Sequence, residues 1–339
     1  MTKVCLIQLI VAAIPAGTLI PAASGQENTA TVSITASPFS AAASASNFAT
    51  HALGLPFVNG QAQWIAGKPG SAVGAAKAKN GPPTPGFYPA DVSNPSSGPT
   101  VASATMHGLY VNGTQGIWGY PANFLNDLNE STMIKITDAY VGTKAAERYP
   151  VGNGLLLQGT LPKIIYDDTI LLAAYIGASH YGSGYNHIYH IYLPPGQDVC
   201  ISATPTVCYS PDNPSTFFFC AYHGSVDFSG IGHVLFTVEP YQNVNGCQVQ
   251  QPSPNGGLVD STADVLSHET FETITDPDGT AWWNQFSLLL FGAEIGDECQ
   301  NFDFGYNFVT LNGRSYEIQP EYSNVLHACT YTPQGVGLQ

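Results

Sequence analysis

A change of composition near residue 100 constrains this chain more than any single motif in it. From Gln26 to about Pro99 the sequence is dominated by Ala, Ser, Gly and Pro, with runs such as Ser40–Ser46 (SAAASAS) and Gly81–Pro85 (GPPTP). Such a stretch buries too little apolar surface to offset the entropy of ordering it. Residues 26–100 are therefore expected to be a disordered linker or pro-region, with Phe57, Trp64 and Phe87–Tyr88 able to pack onto the adjoining domain. Residues 101–339 are expected to form one globular domain, since 44% of the 339 residues are hydrophobic and can build a sizeable core.

The first 25 residues have the layout of a signal peptide. Lys3 gives a positive start, Val4–Ile20 is mostly apolar, and Ala22-Ala23-Ser24-Gly25 offers small residues for cleavage. An N-terminal anchor is the alternative, weakened by Gln8, Pro15 and Gly17 within the run. No later stretch has ~18 uninterrupted apolar residues, so stable membrane insertion after signal removal is not expected. Cys5 would leave with the signal, and six cysteines would remain: Cys200, Cys208, Cys220, Cys247, Cys299 and Cys329. An even number suggests up to three disulfides formed in an oxidising compartment, with the pairing open. Zinc ligation by these cysteines is the alternative, although no Cys-x-x-Cys pair exists. The expected location is secreted or extracellular, with cell wall or periplasm included.

Lys and Arg total 9 against 24 Asp and Glu, for a formal charge of −15, and Arg314 is the only basic residue of this kind after Lys163. Such a chain cannot neutralise phosphates by counterion release, so nucleic acid and anionic membrane surfaces are not expected as partners. Divalent cations are compatible with it.

Along the domain, Met106–Val111 reads as a strand and Asn112-Gly113 as a turn. Pro121–Ile136 and Asp167–Ala178 have helical spacing, and His187–Leu193, Phe217–His223 and Ile231–Val238 read as strands. Helices and strands look segregated, which points to α+β. Asn112-Gly-Thr and Asn129-Glu-Ser are glycosylation sequons.

The chemistry concentrates in Ser267-His268-Glu269-Thr270-Phe271-Glu272. Asp260–Thr275 should be helical, started by Asp260 or Ser261 and stopped before Pro277. On a helix His268 and Glu272 share a face one turn apart and can grip one metal ion, while Glu269 is offset by about 100°. In His-Glu-x-x-His metalloproteases the glutamate after the first histidine is the general base, so Glu269 is the catalytic candidate. Glu272 stands where those enzymes have the second histidine; a harder ligand, it leaves manganese, iron or calcium open beside Zn2+, the first expectation. Glu294 is the expected third ligand. Asp297, one turn further on, is the expected partner that orients His268. Asp278 competes with Glu294 for the third position, and a calcium loop built from Asp276 and Asp278 is a further option. His223, His327, Tyr306 and Tyr322 are unranked additional candidates, whereas His187 and His190 read as structural. Trp282-Trp283 reads as packing.

The run Pro254-Asn255-Gly256-Gly257, Ser267–Pro277, Ala281-Trp282-Trp283 and Glu294–Cys299, with Phe219–Ser225 upstream, resembles the EXORDIUM (phosphate-induced protein 1) family over roughly residues 104–305. That resemblance implies an exported protein associated with the cell wall or apoplast and carries no established reaction. The expected fold is α+β: a single disulfide-containing globular domain whose zincin-like metal-site helix packs on a mixed or antiparallel sheet. The expected function is an exported metal-dependent hydrolase, a zinc peptidase acting on an extracellular peptide or protein. The alternative is a non-catalytic cell-wall or signalling protein with a structural metal or calcium site.

Overall fold

A computed structural model describes residues 29–34, 45–54, 57–58, 61–62, 91–144, 147–201, 207–284, 294–299 and 308–334. The expected signal peptide, Trp64, Phe87–Tyr88 and Tyr306 lie outside the described residues.

The framework is a seven-stranded mixed sheet. Its strands are β1 (Thr29–Ile34), β2 (Ala45–Gly54), β3 (Thr105–Val111), β4 (Gly154–Gly159), β5 (His187–Tyr192), β6 (Phe219–Phe228) and β7 (Gly232–Glu239). The spatial order is β1-β4-β3-β5-β7-β6-β2. Neighbours from β1 to β7 are parallel, whereas β6 runs antiparallel to both β7 and β2.

Among the described residues four α-helices accompany the sheet: α1 (Pro121–Glu130), the short α2 (Asp138–Val141), α3 (Asp167–Tyr181) and α4 (Gly257–Thr275). Between Thr105 and Tyr192 strands and helices alternate, so the architecture is mixed α/β, not the segregated one the sequence suggested. The element responsible is β4. Its Leu155 and Leu157 are fully buried, and an inner parallel strand reads as an apolar run without the alternation that marks a half-exposed one. The helix expected over 121–136 breaks at Ser131 and resumes as a 3₁₀ turn at Met133–Thr137.

The segment expected to be linker supplies both edge strands, β1 and β2. Edge pairing is made by backbone groups, so a sequence poor in large apolar residues can still provide it. The two sequon asparagines serve the fold: Asn112 exchanges two hydrogen bonds with the backbone of Gly159, and buried Asn129 accepts one from Tyr149 N.

Side chains alternate across the sheet and build two cores. Leu109, Tyr189, Ile191, Phe236 and Val238 pack with α3 on one face. Met106, Tyr110, Ile188, Tyr192 and Leu235 pack with α1 and α4 on the other. The register pairs His190 with Thr237 and Thr237 with His223, placing all three on the α4 face. Beyond α4, the hairpins β8–β9 (Phe308–Leu311, Arg314–Glu317) and β10–β11 (Glu321–Ser323, Ala328–Thr330) complete that side.

Three disulfides pin the loops: Cys200–Cys208, Cys220–Cys247 and Cys299–Cys329. Among the described residues no helix is long and apolar enough to cross a membrane.

Candidate metal centre

Every residue of α4 from Asp260 to Thr275 is buried, although the stretch contains His268, Glu269, Glu272, Asp260, Asp264 and several hydroxyl side chains. Burying a polar group costs free energy unless it finds a partner. Most do. Thr270, Thr273 and Thr275 donate to the carbonyls of Leu266, Glu269 and Phe271 one turn back. Asp264 accepts from Gln319 N. The helix starts at Gly257, and Asp260, expected as its cap, lies inside the first turn and accepts from both the backbone and the side chain of Asn255.

Thr262 Oγ1 and Ser267 Oγ are left without an aligned hydrogen bond, and so are groups of His268 and Glu269. Neither ring nitrogen of His268 makes an aligned hydrogen bond, and Oε1 of Glu269 has none either. His268 Nε2 is 3.1 Å from Glu272 Oε2 and 3.8 Å from Asp297 Oδ1. His223, delivered by β6, places Nδ1 3.3 Å from Glu269 Oε2 and 3.7 Å from Glu272 Oε2. Two donors bound to one zinc ion at ~2.0–2.1 Å in tetrahedral geometry sit ~3.3 Å apart. Both groups, His268/Glu272/Asp297 and His223/Glu269/Glu272, have donor atoms that all lie within 4.8 Å of one another.

The supports are specific. Glu272 Oε1 accepts from Asp297 N at 3.0 Å, which turns Oε2 toward the histidines. The Glu294–Cys299 turn crosses His268 at Gly296, where a Cβ would stand 2.5 Å from His268 Nδ1 and 2.8 Å from Glu272 Oε1. Only glycine lets the backbone approach that closely. Cys299–Cys329 anchors this turn, and Cys220–Cys247 anchors β6 three residues before His223.

Burial and crowding set the electrostatics of the cluster. Burial, reinforced by neighbouring carboxylates, pushes Glu269 and Glu294 well above the usual carboxylate range. Burial does the same to Glu272, opposed by hydrogen bonds from the backbone of Asp297 and Gly296. Burial lowers His268 against the pull of Asp297 and Asp264 and of a side-chain contact with Gln319 that falls short of an aligned hydrogen bond, which favours the neutral imidazole. The arginines that pair with carboxylates among the described residues, Arg148 with Asp138 and Arg314 with Asp127, do so elsewhere.

Of the residues singled out from the sequence, His268, Glu269, Glu272 and Asp297 converge. Asp297, expected to orient His268 from behind, stands in the donor group. Glu294 is close by but differently placed, with Oε1 3.7 Å from His223 Nε2. Asp278 is not brought to the cluster: its carboxylate meets His233 and accepts from Tyr185. Asp276 Oδ1 serves as a turn staple, accepting from Thr280 N and Ala281 N, and Asp278 turns its carboxylate to His233 and Tyr185. His327 and Tyr322 meet Asp91 instead. His187 contacts His107, and His190 meets Thr237, which donates to Glu239. Trp282 packs on Tyr140.

His223 was legible only as one histidine among several, because its role depends on the strand register that places it under α4. No family model, curated protein or solved structure matches the chain.

Proposed function

We propose that the protein is an exported metal-dependent hydrolase, a peptidase of the zincin type, with His268, Glu272 and Asp297 holding a divalent ion, zinc first among the candidates. The observation that carries this reading is His268, buried and without an aligned hydrogen bond, facing two carboxylate oxygens at donor–donor spacing. A bound ion of this kind supplies Lewis acidity and acidifies water. Glu269 then acts as general base: its Oε1 is buried without a partner and is available to take a proton from the attacking water and pass it to the leaving amine. Gln319, donating to Gly296 O, holds the turn that presents Asp297. The choice of an amide substrate, an extracellular peptide or protein, rests on the His-Glu-x-x-Glu spacing of the helix. Export rests on the N-terminal sequence and on the disulfides, which persist in oxidising compartments.

A specific observation favours a second reading. The cluster is 0–2% exposed, as a structural metal site in a non-catalytic cell-wall or signalling protein would be. Elemental analysis combined with hydrolysis of an unbiased peptide mixture separates the two. The peptidase reading expects chelator-sensitive cleavage restored by zinc and lost in Glu269→Gln while the ion at His268 is retained. Retained metal with no cleavage in either protein would establish the structural reading, and absence of metal under replete conditions would sink both.

A further inference from the structure

We infer that α4 and β6 together hold a second divalent ion, ligated by His223 Nδ1 and Glu269 Oε2, with Glu272 Oε2 shared between the two ions. This rests on the reading of His268, Glu272 and Asp297 as a first ion site and adds a second beside it.

The geometry of His223 carries the inference. Its Nε2 lies 3.3 Å from the carbonyl of Asp276, and a carbonyl only accepts, so Nε2 carries a proton. A backbone carbonyl behind one ring nitrogen is the common arrangement of a metal-ligating histidine, because it fixes the tautomer and aims the other nitrogen. Here that other nitrogen, Nδ1, points at Glu269 Oε2 and Glu272 Oε2. Three acceptor atoms facing one point need either a proton among them or a cation.

Two further observations favour the cation. Glu269 Oε1 is fully buried with no partner, so its carboxylate is not otherwise accounted for. Glu269 and Glu272 also crowd two carboxylates beside His223 in a region 0–1% exposed, an arrangement that costs free energy without positive charge among them. The single oxygen Glu272 Oε2 lies 3.1 Å from His268 Nε2 and 3.7 Å from His223 Nδ1, where a bridging ligand between ions ~3.5–4 Å apart belongs.

The full chain, stripped with chelator, is titrated with Zn2+ by calorimetry, and retained metal is counted after dialysis. The wild type is expected to take up two ions per chain, His223→Ala one, and Glu272→Ala neither in retained form. A measurement on the unaltered protein guards against a misfolded variant: with Mn2+, the isolated-ion electron paramagnetic resonance signal at one equivalent should give way to an exchange-coupled spectrum at two. Saturation of the wild type at one ion with an uncoupled spectrum would overturn the second site, identify His223 as a protonated partner of Glu269, and leave the first site standing. No retained metal at all overturns both.

Discussion

Helices α3 and α4 pack on opposite faces of the same sheet and are buried for opposite reasons. In α3, Ile170, Leu171, Ala173, Ala174 and Ala178 turn inward while Asp168, Ser179 and His180 face solvent, so burial of apolar surface explains the helix. Each large aliphatic side chain among them stabilises by ~1.5–3 kcal/mol. In α4 no residue from Asp260 to Thr275 is exposed, yet more than half of that stretch is polar or charged. Packing accounts for Val265, Leu266, Phe271 and Ile274. It does not account for His268 and Glu269, whose unpartnered atoms are what mark α4 as the candidate site.

Substitutions in the two helices should therefore fail in different ways. The largest effect is expected from Glu272→Ala, which removes the oxygen facing both histidines; zinc affinity, read by competition with a chromophoric chelator, should fall by well over the ~100-fold upper cost of losing an outer-sphere partner. In α3, Ile170→Ala should cost ~2–5 kcal/mol in urea unfolding while leaving metal stoichiometry unchanged. Loss of metal in that variant would break the contrast between the helices. Gly296→Ala should weaken zinc by ~10–100-fold, as expected when the support of a ligand is displaced, with little change in far-ultraviolet circular dichroism.

A gentler test uses pH. Burial raises Asp264, beside His268, to about 7, and Glu272 is raised in the same direction. An acid whose folded value exceeds its unfolded one binds more protons folded than unfolded, so its stabilising contribution is complete below about pH 4 and lost as pH rises through about 7. Metal-free protein should lose thermal stability across that window. The metal-loaded protein should gain on it, because ligation requires the deprotonated carboxylates and releases protons. Parallel curves with and without metal would contradict the assignment. The smallest effect belongs to Thr273→Val, which removes only the hydroxyl bond to Glu269 O and should cost ~0.5–1.5 kcal/mol in the same urea assay.

The local features of this molecule were legible in its sequence, and the long-range ones were not. The α4 helix, the pairing of His268 with Glu272 and the proximity of the Glu294–Cys299 turn come from spacing and composition. Strand β4 escaped because Leu155–Leu157 carry no alternation, and β1 and β2 escaped because edge pairing uses backbone atoms that composition does not report. His223 joins the site through a cross-strand register with Thr237, which no spacing rule encodes. That Asp297 and not Glu294 lies within donor spacing of His268 follows from the tight turn at Gly296, which spacing alone does not report.

The bridges Cys220–Cys247 and Cys299–Cys329 make the geometry around α4 depend on covalent bonds outside it. Each fixes one of the two segments that α4 must meet, β6 with His223 and the turn with Asp297. Reducing the pair should loosen both walls of the cluster while leaving the spacing of His268 and Glu272, which the helix alone sets, intact.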